Sequence, residues 1–222
     1  MMRPTAIPIM AVLTALTTNH AGGWAVITVR DLPNEIVVGQ PVTLTYEVRQ
    51  HGRTLLSGLR DGSIEAQAAG QSIREPAVGS HEVGRYTVSF TLPRPGAWTI
   101  TIRSGFGNNA VTLLPLPAVN PGRVAAAISP ADRGLRLFVA KGCVTCHVHP
   151  DVTGSGAVKV GPDLTGRRFD ADYLRRFLAD PNVATTRGPG GFEMPDLDLV
   201  PQEIAALTAF INSERVAPAS GQ

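Results

Sequence analysis

Cysteine is almost absent from this chain: two of 222 residues, Cys143 and Cys146, three positions apart. With so few, no disulfide framework can hold the fold, and cysteine chemistry is confined to one point. Aromatic residues are scarce too, at 5%. Neither sign of charge dominates. Residues 1–121 carry nine Lys/Arg against seven Asp/Glu, and residues 122–222 carry eleven of each. That leaves no basic stripe for nucleic acid and no polybasic patch for a membrane surface. No apolar run reaches the length of a comfortable membrane span, so no stable span is expected in the mature chain. A catalytic triad, a carboxylate pair and a phosphate-binding loop are all missing, and a separate enzyme activity is not expected.

What is plentiful is glycine and proline, 23 and 18 residues, which favour turns and short strands over a helical bundle. Hydrophobic residues reach 43%, enough to bury real cores, and the length suits one or two domains. At the N-terminus, Arg3 precedes an apolar run from Thr5 to Leu16, followed by polar and small residues. That pattern reads as a secretory signal over residues 1–21, cleaved after Ala21. The expected location is periplasmic or otherwise extracytoplasmic.

From Trp24 to Leu114 the pattern alternates at period two, as in "WAVITVR" (24–30), "PVTLTYEVRQ" (41–50), "GRYTVSFTLP" (84–93) and "GAWTITIRSG" (96–105). In the second of these, Val42, Leu44, Tyr46 and Val48 share one face, while Thr43, Thr45 and Glu47 share the other, outward one. Turn chemistry separates the strands, for example at Asp61-Gly62 and Pro93-Arg94-Pro95-Gly96. About seven short strands in this space predict an all-β immunoglobulin-like sandwich over residues 22–118, with Trp98 between its sheets. Prolines 115, 117, 121 and 130 oppose regular structure in "LLPLPAVNPGRVAAAISP" (113–130), and a linker is assigned to 119–129.

Beyond it the period becomes helical. Ser129 caps a helix that Pro130 opens, with Asp132 three residues after the cap. Further helices are expected over 171–179, with Tyr173, Leu174, Phe177 and Leu178 inward, and from Pro201 to about Ser213. An all-α domain over 130–216 and a tail over 217–222 complete the layout.

The stretch "GCVTCHVHP" (142–150) holds both cysteines. In a helix, Cys143, Cys146 and His147 stand at i, i+3 and i+4 and project from one face. This C-x-x-C-H spacing is a c-type haem attachment signature, although zinc and redox proteins also use C-x-x-C. Structural zinc needs two further ligands, and the nearby histidines match no common finger spacing. A redox dithiol wants a βαβ setting that the helical surroundings do not supply. A disulfide across C-x-x-C is a poor geometry for a structural bridge.

Once a signal is removed, Met194 is the remaining methionine, in the loop "GGFEMPDLDL". A methionine more often fills a core gap. Its uniqueness and its Gly/Pro-rich setting instead mark it as the second axial ligand beside His147. Such a pair raises a haem's potential and suits electron transfer.

With "VGPDLTG" (160–166) lying between these ligands, residues 130–213 resemble a class I cytochrome c. The resemblance implies an all-α cytochrome c fold with one covalently attached haem c. It places thioethers at Cys143 and Cys146 and iron ligands at His147 and Met194. The Pro162 carbonyl accepts from the His147 imidazole, and Gly134 and Phe138 cross Leu207 and Phe210 of the last helix. Arg167 and Arg168 are the candidate propionate contacts, with the other basic residues on a solvated face. His149 departs from the family pattern and is expected at the surface. The implied job is one-electron transfer between extracytoplasmic redox proteins.

"GRYTVSFTLPRPGAWTITI" (84–102) and "GQPVTLTYEVRQHG" (39–52) are similar to the YtkA-like and FixH-like exported β-sandwiches, some of which are linked to copper handling or oxidase assembly. By that analogy the chain could be an assembly factor with a haem module, yet this half offers only His51 and His81, with His20 in the signal, as metal ligands. A haem-based small-ligand sensor, with Met194 displaced, is the other alternative. For the sandwich itself the expectation is a docking or spacer module.

Overall fold

The computed structural model describes residues 23–152, 154–183 and 191–213. The expected signal and the tail after residue 213 lie outside the described residues.

The period-two alternation is realised as strands β1 (Ala25–Val29), β2 (Ile36–Val37), β3 (Pro41–Gln50), β4 (Thr54–Leu55), β5 (Ser63–Ala68), β6 (Gln71–Pro76), β7 (Val78–Gly79), β8 (Arg85–Thr91), β9 (Gly96–Arg103), β10 (Ala110–Thr112) and β11 (Leu116–Val119). One sheet runs β1-β3-β8-β7 with β4 beside β3; the other runs β2-β11-β9-β5-β6 with β10 beside β9. The pairings are antiparallel except β2 with β11. Leu44, Tyr46 and Val48 of β3 bury their expected face against Trp98, Ile100 and Ile102 of β9 in one core. Trp98 is fully buried, and its indole N–H donates to the Arg94 carbonyl at 3.1 Å. Burial of a ring that size contributes about 4–6 kcal/mol of gross transfer energy.

Two expectations change here. Leu116–Val119 is a strand, so regular structure continues into the proline-rich segment and takes in Val119 of the assigned linker. Pro117 is tolerated because β2 pairs only with Ala118 and Val119, leaving β11 an edge strand at Pro117. Glu47 does not face water. It is buried on the outer face of β3, with Arg49 at 2.6 Å and Arg85 at 3.0 Å. Burial alone would push its carboxyl up; Arg49, Arg85 and Arg30 outweigh it and hold the pKa below the ordinary value. Its cross-strand neighbour Thr28 donates to the Lys141 carbonyl at 3.3 Å, so the second domain covers this patch.

That domain comprises α1 (Pro130–Ala140), α2 (Cys143–Cys146), α3 (Ala171–Ala179), a 3-10 turn (Pro181–Val183) and α4 (Pro201–Ile211). Ser129 caps α1 as its sequence predicts, its Oγ accepting from Asp132 N at 3.1 Å. Asp170 caps α3 in the same way, accepting from Tyr173 N at 2.7 Å. The crossing of α1 and α4 depends on Gly134, where a Cβ would stand 2.0 Å from the Ala206 carbonyl oxygen. Phe138 and Phe210 then meet edge to face, with centroids 5.5 Å apart.

The two domains pack directly. Arg133 donates to the Leu32 carbonyl at 2.6 Å, Arg136 to Asn34 at 3.1 Å, and the Lys141 ammonium to Arg30 at 2.7 Å. Gly142 adopts φ +82°, and a Cβ there would lie 2.7 Å from the Ile27 carbonyl oxygen of β1. Among the described residues no helix is long and apolar enough to cross a membrane.

Candidate functional site

Gly142 ends the run-in from α1 in the left-handed region that favours glycine. The chain then makes the single turn of α2, which carries Cys143 and Cys146 as free, partly buried thiols. His147 leaves that turn with extended backbone, its N–H donating to the Cys143 carbonyl at 2.9 Å. Burial pushes Cys143 up to about 12, with Cys146 adding to it, and pushes Cys146 up to about 11. Thiols held protonated in this way are not primed as redox nucleophiles.

His147 Nδ1 lies 3.0 Å from the Pro162 carbonyl oxygen. A carbonyl only accepts, so Nδ1 carries the proton and Nε2 keeps its lone pair. Burial lowers the imidazole pKa against the opposing pull of that hydrogen bond, which favours the neutral ring a metal requires. Gly161 makes room for it: a Cβ there would stand 2.6 Å from Cε1 and 2.7 Å from Nδ1.

Cys143, Cys146, His147 and Met194 all line one cavity of about 770 Å³. Its other walls are largely apolar and include Phe138, Phe169, Tyr173 and Phe177. Tyr173 and Phe177 were expected to face the core with Leu174 and Leu178. All four line the cavity, but only the two leucines are buried; the two rings stack at 6.0 Å, Tyr173 being 41% exposed. The donor set fits a haem: two thiols beside a neutral imidazole with a fixed tautomer, a thioether in the same cavity, and a glycine cradle at the imidazole edge. Arg167 lines the cavity, whereas Arg168 is not in its lining and donates to the Asn212 carbonyl at 3.1 Å.

His149 is not at the surface. It is buried against Phe210 at 4.3 Å and Phe138 at 5.7 Å, under the α1–α4 crossing. Its Nδ1 accepts from Asp151 N at 3.2 Å. An imidazole offers an apolar body as well as polar tips, and two phenyl rings supply the better environment for that body.

Trp24, Val26, His51 and Gly52 of the sandwich also line the cavity. Strand alternation marks Trp24 only as one residue of a strand, and nothing local to either sequence points to the helical domain. His81 is exposed, and among the described residues no group of three or more His, Cys, Asp or Glu side chains is arranged to hold a metal ion.

Comparison with known proteins gives matches of unequal weight. Two solved structures are similar over part of the chain. One is surface layer protein SbsC, domains 1–6, at 20% identity over 45% of this chain and 13% of that one, with a TM-score of 0.33. The other is the ZirS C-terminal domain, at 13% identity over 56% and 86%, with a TM-score of 0.28. At those scores neither informs the fold. A "Diheme cytochrome c-type" protein of Cereibacter sphaeroides is 30% identical over 79 residues, 36% of this chain. The match spans 26% of that protein's length. Residues 131–214 match the cytochrome c family model, so the helical half carries a cytochrome c domain, a family that implies covalently attached haem c.

Proposed function

We propose that this protein is an exported carrier of single electrons between extracytoplasmic redox proteins. In this reading His147 and Met194 are the axial ligands of one haem. Cys143 and Cys146 hold it by thioether bonds, and two cysteines allow one such attachment. The immunoglobulin-like half is of the YtkA-like and FixH-like type.

The observation that carries the reading is the shared cavity. A neutral imidazole, its tautomer set by Pro162, lines the same space as both thiols and the Met194 thioether. When bound there, the haem supplies a reversible one-electron couple. The chain's own contribution is positional. Pro162 orients His147, Gly161 leaves space for the ring, and Phe138, Phe169 and Phe177 limit water at the site. Arg167, from the rim of the same cavity, is the better placed of the two arginines to meet a carboxylate.

An optical spectrum of protein matured in cells that attach haem tests this. The expected result is covalent haem whose ferric form shows the methionine-to-iron charge-transfer band, lost in Met194→Ala. Protein without covalent haem overturns the reading. Carbon monoxide binding to the resting reduced protein would favour the small-ligand sensor instead.

A further inference from the structure

The loop that carries Met194 is gripped from both sides by the sandwich. On the N-terminal side, Trp24, just before β1, faces Phe192, with ring centroids 6.0 Å apart, and is itself braced edge-on by His51 at 5.5 Å. Arg53 pairs with Glu193 at 3.2 Å. On the C-terminal side, Arg30, just after β1, donates to the Leu197 carbonyl at 3.1 Å and to Asp198 at 3.4 Å. Between them the β3–β4 turn abuts Pro195: a Cβ on Gly52 would come within 3.9 Å of its ring. His51 and Gly52 reach that position with φ of +51° and +71°, a left-handed pair that brings the turn's backbone close to the loop.

We propose that the sandwich is a positioning element of the haem site: Trp24, Arg30 and the His51–Arg53 turn hold residues 192–198 so that Met194 stays in the cavity wall. The proposal rests on Met194 being the sixth ligand. An outside ligand must push Met194 off, and the loop must move for that to happen, so every contact that holds the loop raises the cost of displacement. The grips are unequal. Arg53 and Glu193 are both about half exposed and add little. Trp24 brings a large ring into the cavity wall, and the partly buried Arg30 makes a charge-assisted bond to backbone. A spacer would be seated by the contacts to α1 and Lys141 alone, and a second set on the Met194 loop goes beyond that role.

The test is imidazole titration of the full-length, haem-loaded ferric protein, read by loss of the methionine-to-iron band. Trp24→Ala and Arg30→Ala are each expected to bind imidazole about tenfold more tightly, the scale of one lost aromatic or charge-assisted contact. Trp24→Phe should restore most of the native affinity, and the covalent haem content of Arg30→Ala should not change. Native-like affinity in both alanine variants, with haem attached as usual, overturns the proposal. If Trp24→Ala does not mature, the partly exposed Arg30→Ala decides alone. A Met194→Ala control separates the two levels: native affinity equal to that variant's overturns methionine ligation itself, and the clamp with it. A native band combined with unchanged alanine variants overturns only the clamp.

Discussion

The ammonium of Lys141 lies 2.7 Å from Glu203 Oε1, tying the end of α1 to the first turn of α4. It also donates to the Arg30 carbonyl at 2.7 Å, so one buried cation joins two helices and a strand. The other Glu203 oxygen accepts from Val200 N at 3.3 Å and caps α4. Burial pushes the Lys141 pKa down, and the Glu203 carboxylate acts against that. Lys141 immediately precedes Gly142, so the position of the Cys143–Cys146 turn depends on this junction.

Removing one partner leaves a buried charge alone. Lys141→Met is expected to cost about 3–5 kcal/mol in denaturant unfolding of the haem-loaded protein. Adding Glu203→Gln should recover much of that loss, because the remaining polar group is then neutral and can still accept from Val200 N. Equal losses in the single and double variants would contradict the pairing.

Gly161→Ala tests the cradle around the His147 imidazole. Its Cβ would stand 2.6 Å from His147 Cε1, so the ring or the 160–162 backbone must shift. The expected outcome is a weaker His147–Pro162 hydrogen bond, a less basic imidazole and so a higher reduction potential, or altered low-spin electron paramagnetic resonance signals. An unchanged spectrum and potential would show that the loop absorbs the methyl group freely.

Glu47 makes acid stability measurable. Its folded pKa is depressed, so its contribution is complete above the ordinary value of 4.5 and is lost as pH falls through the lower folded value. At neutral pH, Glu47→Gln should destabilise the protein by about 3 kcal/mol, since it leaves Arg49 and Arg85 without their carboxylate. Thermal melts at a series of pH values should show the gap to native protein closing as pH drops below 4.5. A gap that stays constant would mean the carboxylate gains nothing from its arginines.

His149→Ala should cost about 2 kcal/mol by opening a cavity between Phe138 and Phe210. The methionine-to-iron band should survive unaltered. Loss of that band with the fold intact would show that His149 acts on the iron rather than in the core.

Elements that depend on neighbouring residues were legible from the sequence. Ser129, Pro130 and Asp132 announced α1; alternation through Leu44, Tyr46 and Val48 announced β3; C-x-x-C-H spacing marked Cys143, Cys146 and His147. Such signals arise from backbone geometry within a few residues, so the sequence alone carries them. Met194 stood out in another way, by its uniqueness and loop setting, and the structure puts it in the cavity that His147 lines.

Burial of Glu47 and His149, and the reach of Trp24 and Arg30 to the Met194 loop, were decided only by tertiary structure. Alternation says which face of β3 a residue occupies. It does not say whether that outer face meets water or another domain. Here α1 and the attachment turn land on β1, more than a hundred residues away in sequence, and turn an outward face into an interior. The sequence by itself determined the C-x-x-C-H spacing and the local elements. Long-range packing decided that the sandwich would form part of the wall around them, because such contacts depend on where distant surfaces meet and leave no periodic mark in either segment.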